Sequence, residues 1–134
     1  MRRLHKNSIA ILGLSVFFLT GCQKYYLSLT DQKVDVNSLA STYVGSPDKR
    51  QHSPPLGQLV VMDWRIPRFI LPEGPFIELF VLYGNYTEKK FTFPIDKRMG
   101  YVVYKNLNEE FVDNKGIISY RADIKLADGQ IYKS

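Results

Sequence analysis

The chain has 134 residues, 45% hydrophobic and 23% charged, an ordinary composition for one small globular domain. A lone cysteine, Cys22, excludes an intrachain disulfide and a thiolate zinc cluster, and two histidines, His5 and His52, exclude a multi-histidine metal site. The formal charge of +5 would suggest a nucleic-acid partner only if it lay in the folded part.

It does not. Arg2, Arg3 and Lys6 open the chain without an acid, and Ile9–Leu19 then runs 11 residues without a charge. As a helix that run crosses about 16 Å, well short of a hydrocarbon core of roughly 30 Å. A basic start, a short apolar run and small residues after it are the parts of a secretory signal peptide. Leu19-Thr20-Gly21-Cys22 resembles the lipobox of bacterial lipoprotein precursors. That resemblance implies cleavage between Gly21 and Cys22, and a diacylglycerol thioether on the Cys22 sulfur. It also implies acylation of the freed amino group, and two or three chains anchor stably where one would not. Loss of residues 1–21 removes Arg2, Arg3 and Lys6 and lowers the net charge from +5 to +2, so no nucleic-acid partner is expected. Gln23 stands where an aspartate would argue for inner-membrane retention, so the resemblance leans toward the outer membrane.

Three divisions follow: a signal peptide at 1–21, a lipidated cysteine and tether at 22–55, and a β domain at 56–134. The tether reading rests on Lys, Ser, Thr and Asp among few apolar residues, and on Pro47, Pro54 and Pro55. Ser41–Val44 is expected as a short first strand.

From Gln58 onward the period is two, and aromatics at 13% favour strands. Val60, Met62, Trp64 and Ile66 face one way, and Leu59, Val61, Asp63 and Arg65 the other. Phe76–Tyr83, Gly84-Asn85 and Tyr86–Ile95 read as a hairpin with a two-residue primed turn. Tyr101–Tyr104 is another strand, and Asn106–Val112 the nearest thing to a helix. Ile118, Tyr120, Ala122, Ile124 and Leu126 define one face of a last long strand. Gly57, Gly84, Gly100, Gly116 and Gly129 are expected at turns.

Short alternating strands with turn signals predict an all-β protein, a small antiparallel β-sandwich after a cleaved N-terminal signal helix. An open Greek-key barrel is the alternative. LVVMDWRIP at 59–67 resembles the tryptophan-bearing strand of fibronectin type III domains. SYRADIKLADG at 119–129 resembles their later strand, with Tyr120 in the place of the buried tyrosine and Leu107 as a packing leucine before it. The resemblance implies a fibronectin type III/immunoglobulin-like sandwich, although the segment from Leu107 to Tyr120 is longer than the pattern. STYVGSPDKRQ and PPLGQLVVMDW also resemble small chlamydial-type lipoproteins, which implies no activity.

Catalytic chemistry has little to stand on. His52 lies in a proline-flanked loop without a nucleophile motif, and Glu109-Glu110 are adjacent acids that a strand would point apart. Lys89-Lys90 with Tyr86, Phe91 and Phe93 has the composition of a nucleic-acid platform, but alternation separates Lys90 from the two phenylalanines. No metal or cofactor is expected.

Ile77, Leu79, Val81 and Tyr83 can fill the core, which leaves Phe80 and Leu82 beside Glu78 on the other face. If the two strands are neighbours, Leu59, Val61, Phe80 and Leu82 form an exposed apolar patch, the candidate interaction surface. The five residues Gln130–Ser134 are too few to pair along 117–126, so the N-terminal half of that strand is expected to be partly unpaired, a template for another strand. The expected function is a lipid-anchored, non-catalytic cell-envelope lipoprotein with an envelope protein partner. The alternative is a small-ligand carrier or small hydrolase using a cleft.

Overall fold

The computed structural model describes residues 25–134. The expected signal segment, Gly21 and Cys22 lie outside these residues. Among the described residues, seven strands form two antiparallel sheets: β1 (Tyr26–Val34), β2 (Gly57–Arg65), β3 (Phe76–Tyr83), β4 (Glu88–Pro94), β5 (Met99–Leu107), β6 (Ile117–Lys125) and β7 (Ile131–Lys133). The first sheet has the order β1-β2-β5 and the second β4-β3-β6-β7. Their inner faces make a small β-sandwich, and the barrel alternative is dropped.

The alternation in β2 and β3 builds the core. Val60, Met62, Trp64 and Ile66 from the first sheet meet Ile77, Leu79, Val81 and Tyr83 from the second, all buried. At about 25 cal/mol per Å² of apolar surface withdrawn from water, this meeting of faces is the main stabilising term. The Trp64 indole N–H donates to the Lys97 carbonyl at 3.0 Å. Gly100, expected at a turn, lies instead inside β5 under the Trp64 ring; a Cβ there would stand 2.8 Å from Cζ2. Gly57 likewise opens β2, where a Cβ would fall 2.1 Å from the Asn106 carbonyl oxygen. Both are glycines of close approach rather than of turns.

Four expectations need correction. The sandwich begins at Tyr26, not at residue 56, because β1 pairs with β2 along its whole length from Tyr26↔Arg65 to Val34↔Gly57. Only Leu27 and Leu29 pack on the core from β1, so its alternation is too sparse to stand out among polar neighbours. Ser41–Val44 is not a strand: Ala40–Val44 is a short helix, α1, ended by Gly45 at φ 63°. Just before it, Asp35 and Ser38 cap a 3-10 turn reciprocally, which turns the chain away from extended geometry.

The β3–β4 hairpin does not use a two-residue turn. Tyr86 N–H donates to the Tyr83 carbonyl at 2.9 Å, Tyr83 N–H donates to Thr87 at 3.0 Å, and Tyr86 sits at φ 62°. This is a three-residue loop closed by a left-handed residue. The Asn85 carboxamide oxygen accepts from the Thr87 backbone N–H at 3.0 Å and from its hydroxyl at 2.6 Å, holding the longer loop.

In β6 the register shifts between Leu82↔Ser119 and Tyr83↔Ile117. The bulge places Ile117 against the core and leaves Ile118 57% exposed, reversing its expected face. The long segment between Leu107 and Tyr120 holds the helix α2 (Asn108–Asn114). Asn114 is buried and exchanges two amide hydrogen bonds with Asn106, at 3.1 and 2.7 Å, fixing α2 to β5.

Candidate interaction surfaces

The predicted apolar patch does not form. Leu59 and Val61 lie on the outer face of the β1-β2-β5 sheet, while Phe80 and Leu82 lie on the outer face of the β4-β3-β6-β7 sheet. Alternation gives each residue's face correctly, but β2 and β3 are not neighbours, so the two pairs look out from opposite sides of the sandwich. Leu59 and Val61 keep Lys105 and Val103 as cross-strand partners on β5.

Phe80 is the centre of a charged lattice rather than an apolar patch. The register places Lys90 and Arg121 directly beside it on β4 and β6. The Arg121 guanidinium lies 4.9 Å from the ring centroid, with the Lys125 and Lys90 ammonium groups at 5.8 and 5.9 Å. The next row holds Glu78 opposite Asp123, like charges that would repel if unpartnered. Lys125 donates to the Glu78 carboxylate and Lys90 stands 3.3 Å from it, while Arg121 pairs with Asp123 at 3.4 Å. The Lys125 hydrogen bond, and then that from Lys90, hold the Glu78 carboxyl below its ordinary range against the opposing effect of burial. A shallow depression of about 670 Å³ lies over Phe80 and Leu82, walled by Glu88, Lys90, Ser119 and Arg121. Three cations and two buried carboxylates largely satisfy one another here.

The second surface is the free side of β6. On that side β7 pairs with Ile124 and Lys125 alone. The Ile117 backbone is satisfied by a side chain: its N–H donates to the Gln58 carboxamide at 2.6 Å and its carbonyl accepts from the same group at 3.5 Å. Between these two closures, residues 119–123 have no ladder partner on the side away from β3 among the described residues. On the flank, Asp31 and Lys33 are directed inward from β1 by register and yet are exposed. Tyr120 donates its hydroxyl to the Asp31 carboxylate at 3.1 Å.

The remaining candidates stay apart. His52 sits in the exposed loop after a 3-10 turn, and Glu109 and Glu110 occupy the exposed first turn of α2. Phe91 and Phe93 pack inward while Lys90 faces out and Tyr86 projects from the hairpin loop, so no basic-aromatic platform assembles. Among the described residues no three His, Cys, Asp or Glu side chains cluster as a metal site. No helix among them is long and apolar enough to cross a membrane. Local sequence pattern missed the buried Tyr83–Tyr104 hydroxyl pair at 2.6 Å, because the partners come from different sheets. No protein-family model, curated protein or solved structure matches the chain.

Proposed function

We propose that the chain is a lipid-anchored, non-catalytic module of the bacterial cell envelope, held by a lipid on Cys22, with the outer membrane favoured. It works by contact with an envelope protein that adds a strand to the free side of β6. The observation that supports this is the unpaired run 119–123 between the Gln58 closure at one end and β7 at the other. A row of unpaired N–H and C=O groups accepts another strand through main-chain hydrogen bonds. Arg121 sets an exposed charged side chain along the edge and opposes indiscriminate pairing.

Amide hydrogen exchange tests the edge. Within 119–123, the amides that point away from β3 should exchange much faster than those of Ile77–Val81 in the protein alone, and slow exchange of those outward amides would show an edge already closed. The anchor is tested by Cys22→Ser, which removes the sulfur needed for the thioether. The variant should leave the detergent phase or stay uncleaved; recovery at mature size in that phase, equal to the unaltered protein, would sink the anchor.

The depression over Phe80 favours a second reading, a carrier of a small anionic ligand. Its cations are already engaged by Glu78 and Asp123, so this reading ranks below the first.

A further inference from the structure

We infer that one end of the sandwich docks on the anionic headgroup layer of the bilayer that holds the Cys22 lipid, an inference resting on the anchored reading above. This end is formed by the start of β1, the end of β2, the 3-10 turn Arg68–Glu73 and the loop 95–98. The cross-strand row Tyr26–Arg65–Met99 defines it on the outer face of the first sheet. The Ile66 N–H donates to the Arg98 carbonyl at 2.9 Å, and the Trp64 indole donates to Lys97, which fixes the loop beside that row.

Chain length decides which end faces the lipid. Four residue steps separate Cys22 from Tyr26, at most about 14 Å when fully extended. The opposite end, with Val34, Gly57 and α2, lies a nine-residue strand away, about 30 Å at the rise of a strand. The anchored end therefore stays within reach of the headgroups and the other does not.

The chemistry of the anchored end fits that layer. Phe69 is 73% exposed, although its neighbour Ile70 is buried, and Met99 is 57% exposed. Tyr26 adds a partly exposed ring beside Arg65. Arg65, Arg68, Lys97 and Arg98 make no ion pair among the described residues. The acids at this end are Glu73, Asp96 and Asp128, fewer than the bases. At the far end α2 carries Glu109, Glu110 and Asp113 and no base, so the acidic helix points away from an anionic surface. Aromatic rings and long cationic side chains are the residues that settle at a membrane interface, rings at headgroup depth and charges in the polar layer. Weak attraction suffices, because the tether keeps the local concentration of lipid high.

The test uses the full lipidated chain in vesicles. Because the Cys22 sulfur is consumed in the thioether, Phe69→Cys or Val112→Cys introduces a single free thiol for a nitroxide or fluorescent label. Both positions are exposed, so neither substitution empties the core. In phosphatidylglycerol-containing vesicles the label at 69 should be several-fold less accessible to an aqueous quencher than the label at 112. High salt should reverse much of that protection, since screening shortens the reach of the basic groups. Equal accessibility at the two positions, with the protein still vesicle-bound, overturns the docking. Undiminished protection in phosphatidylcholine alone overturns the anionic assignment. A chain that stays in the aqueous phase overturns the anchor, and this inference with it.

Discussion

The Tyr120 hydroxyl donates to the Asp31 carboxylate at 3.1 Å across 89 residues of sequence, tying β6 of one sheet to β1 of the other. Burial first, and donation to Asp31 second, push the Tyr120 hydroxyl above its ordinary pKa of 10.0. Tyr120→Phe keeps the ring and removes the bond, and should lower stability by about 0.5–1.5 kcal/mol. Amides of residues 29–33 should exchange faster in the variant. A denaturant midpoint and exchange pattern equal to the unaltered protein would show that the bond holds nothing.

The Tyr83 and Tyr104 hydroxyls bond each other at 2.6 Å between the sheets, with the Phe91 ring 4.5 Å from that of Tyr104. Tyr83→Phe or Tyr104→Phe alone leaves a buried hydroxyl without its partner and should cost about 1–3 kcal/mol. The double variant, which removes both hydroxyls, should recover part of that loss in a double-mutant cycle. Losses that simply add would show that the hydroxyls do not depend on each other.

The same pair makes a prediction at alkaline pH. Burial raises both hydroxyls above 10.0, Tyr104 further than Tyr83. Their contribution is complete below pH 10 and is lost as pH rises from there toward the folded-state values, because the unfolded chain gives up its protons first. Thermal melts should weaken above pH 10, and Tyr83→Phe/Tyr104→Phe should flatten that limb relative to the unaltered protein.

Trp64 and Gly100 form one packing unit. Trp64→Ala should cost about 3–5 kcal/mol, comparable to the whole stability of a small domain. Gly100→Ala should also destabilise, since its Cβ would meet the indole ring at 2.8 Å. A melt of the tryptophan variant within a few degrees of the unaltered protein would place the ring outside the core.

Glu78 contributes to the acid limb. The Lys125 hydrogen bond lowers its pKa below the ordinary 4.5, so its contribution is complete above that value and fades as pH falls through the lowered one. Glu78→Gln should lose stability at neutral pH and show a shallower decline below pH 4.5. An acid limb as steep as before would assign the effect to other carboxylates.

The sequence by itself determined which way side chains face in the strong strands. Val60 through Ile66 and Ile77 through Tyr83 alternate cleanly, and a period of two leaves no other assignment of inside and outside. Only the tertiary structure decided which strands are neighbours. Local pattern places Leu59 and Phe80 on outer faces but says nothing of whether those faces belong to one sheet, and they do not. β1 was hidden because an edge strand with half its inward side uncovered needs few apolar residues; Leu27 and Leu29 suffice. Ile118 changed face because a bulge consumes one residue, and a bulge is settled by the partner strand rather than by the residues that form it. The Tyr120–Asp31, Tyr83–Tyr104 and Gln58–Ile117 bonds join segments brought together by packing, so no local period could announce them.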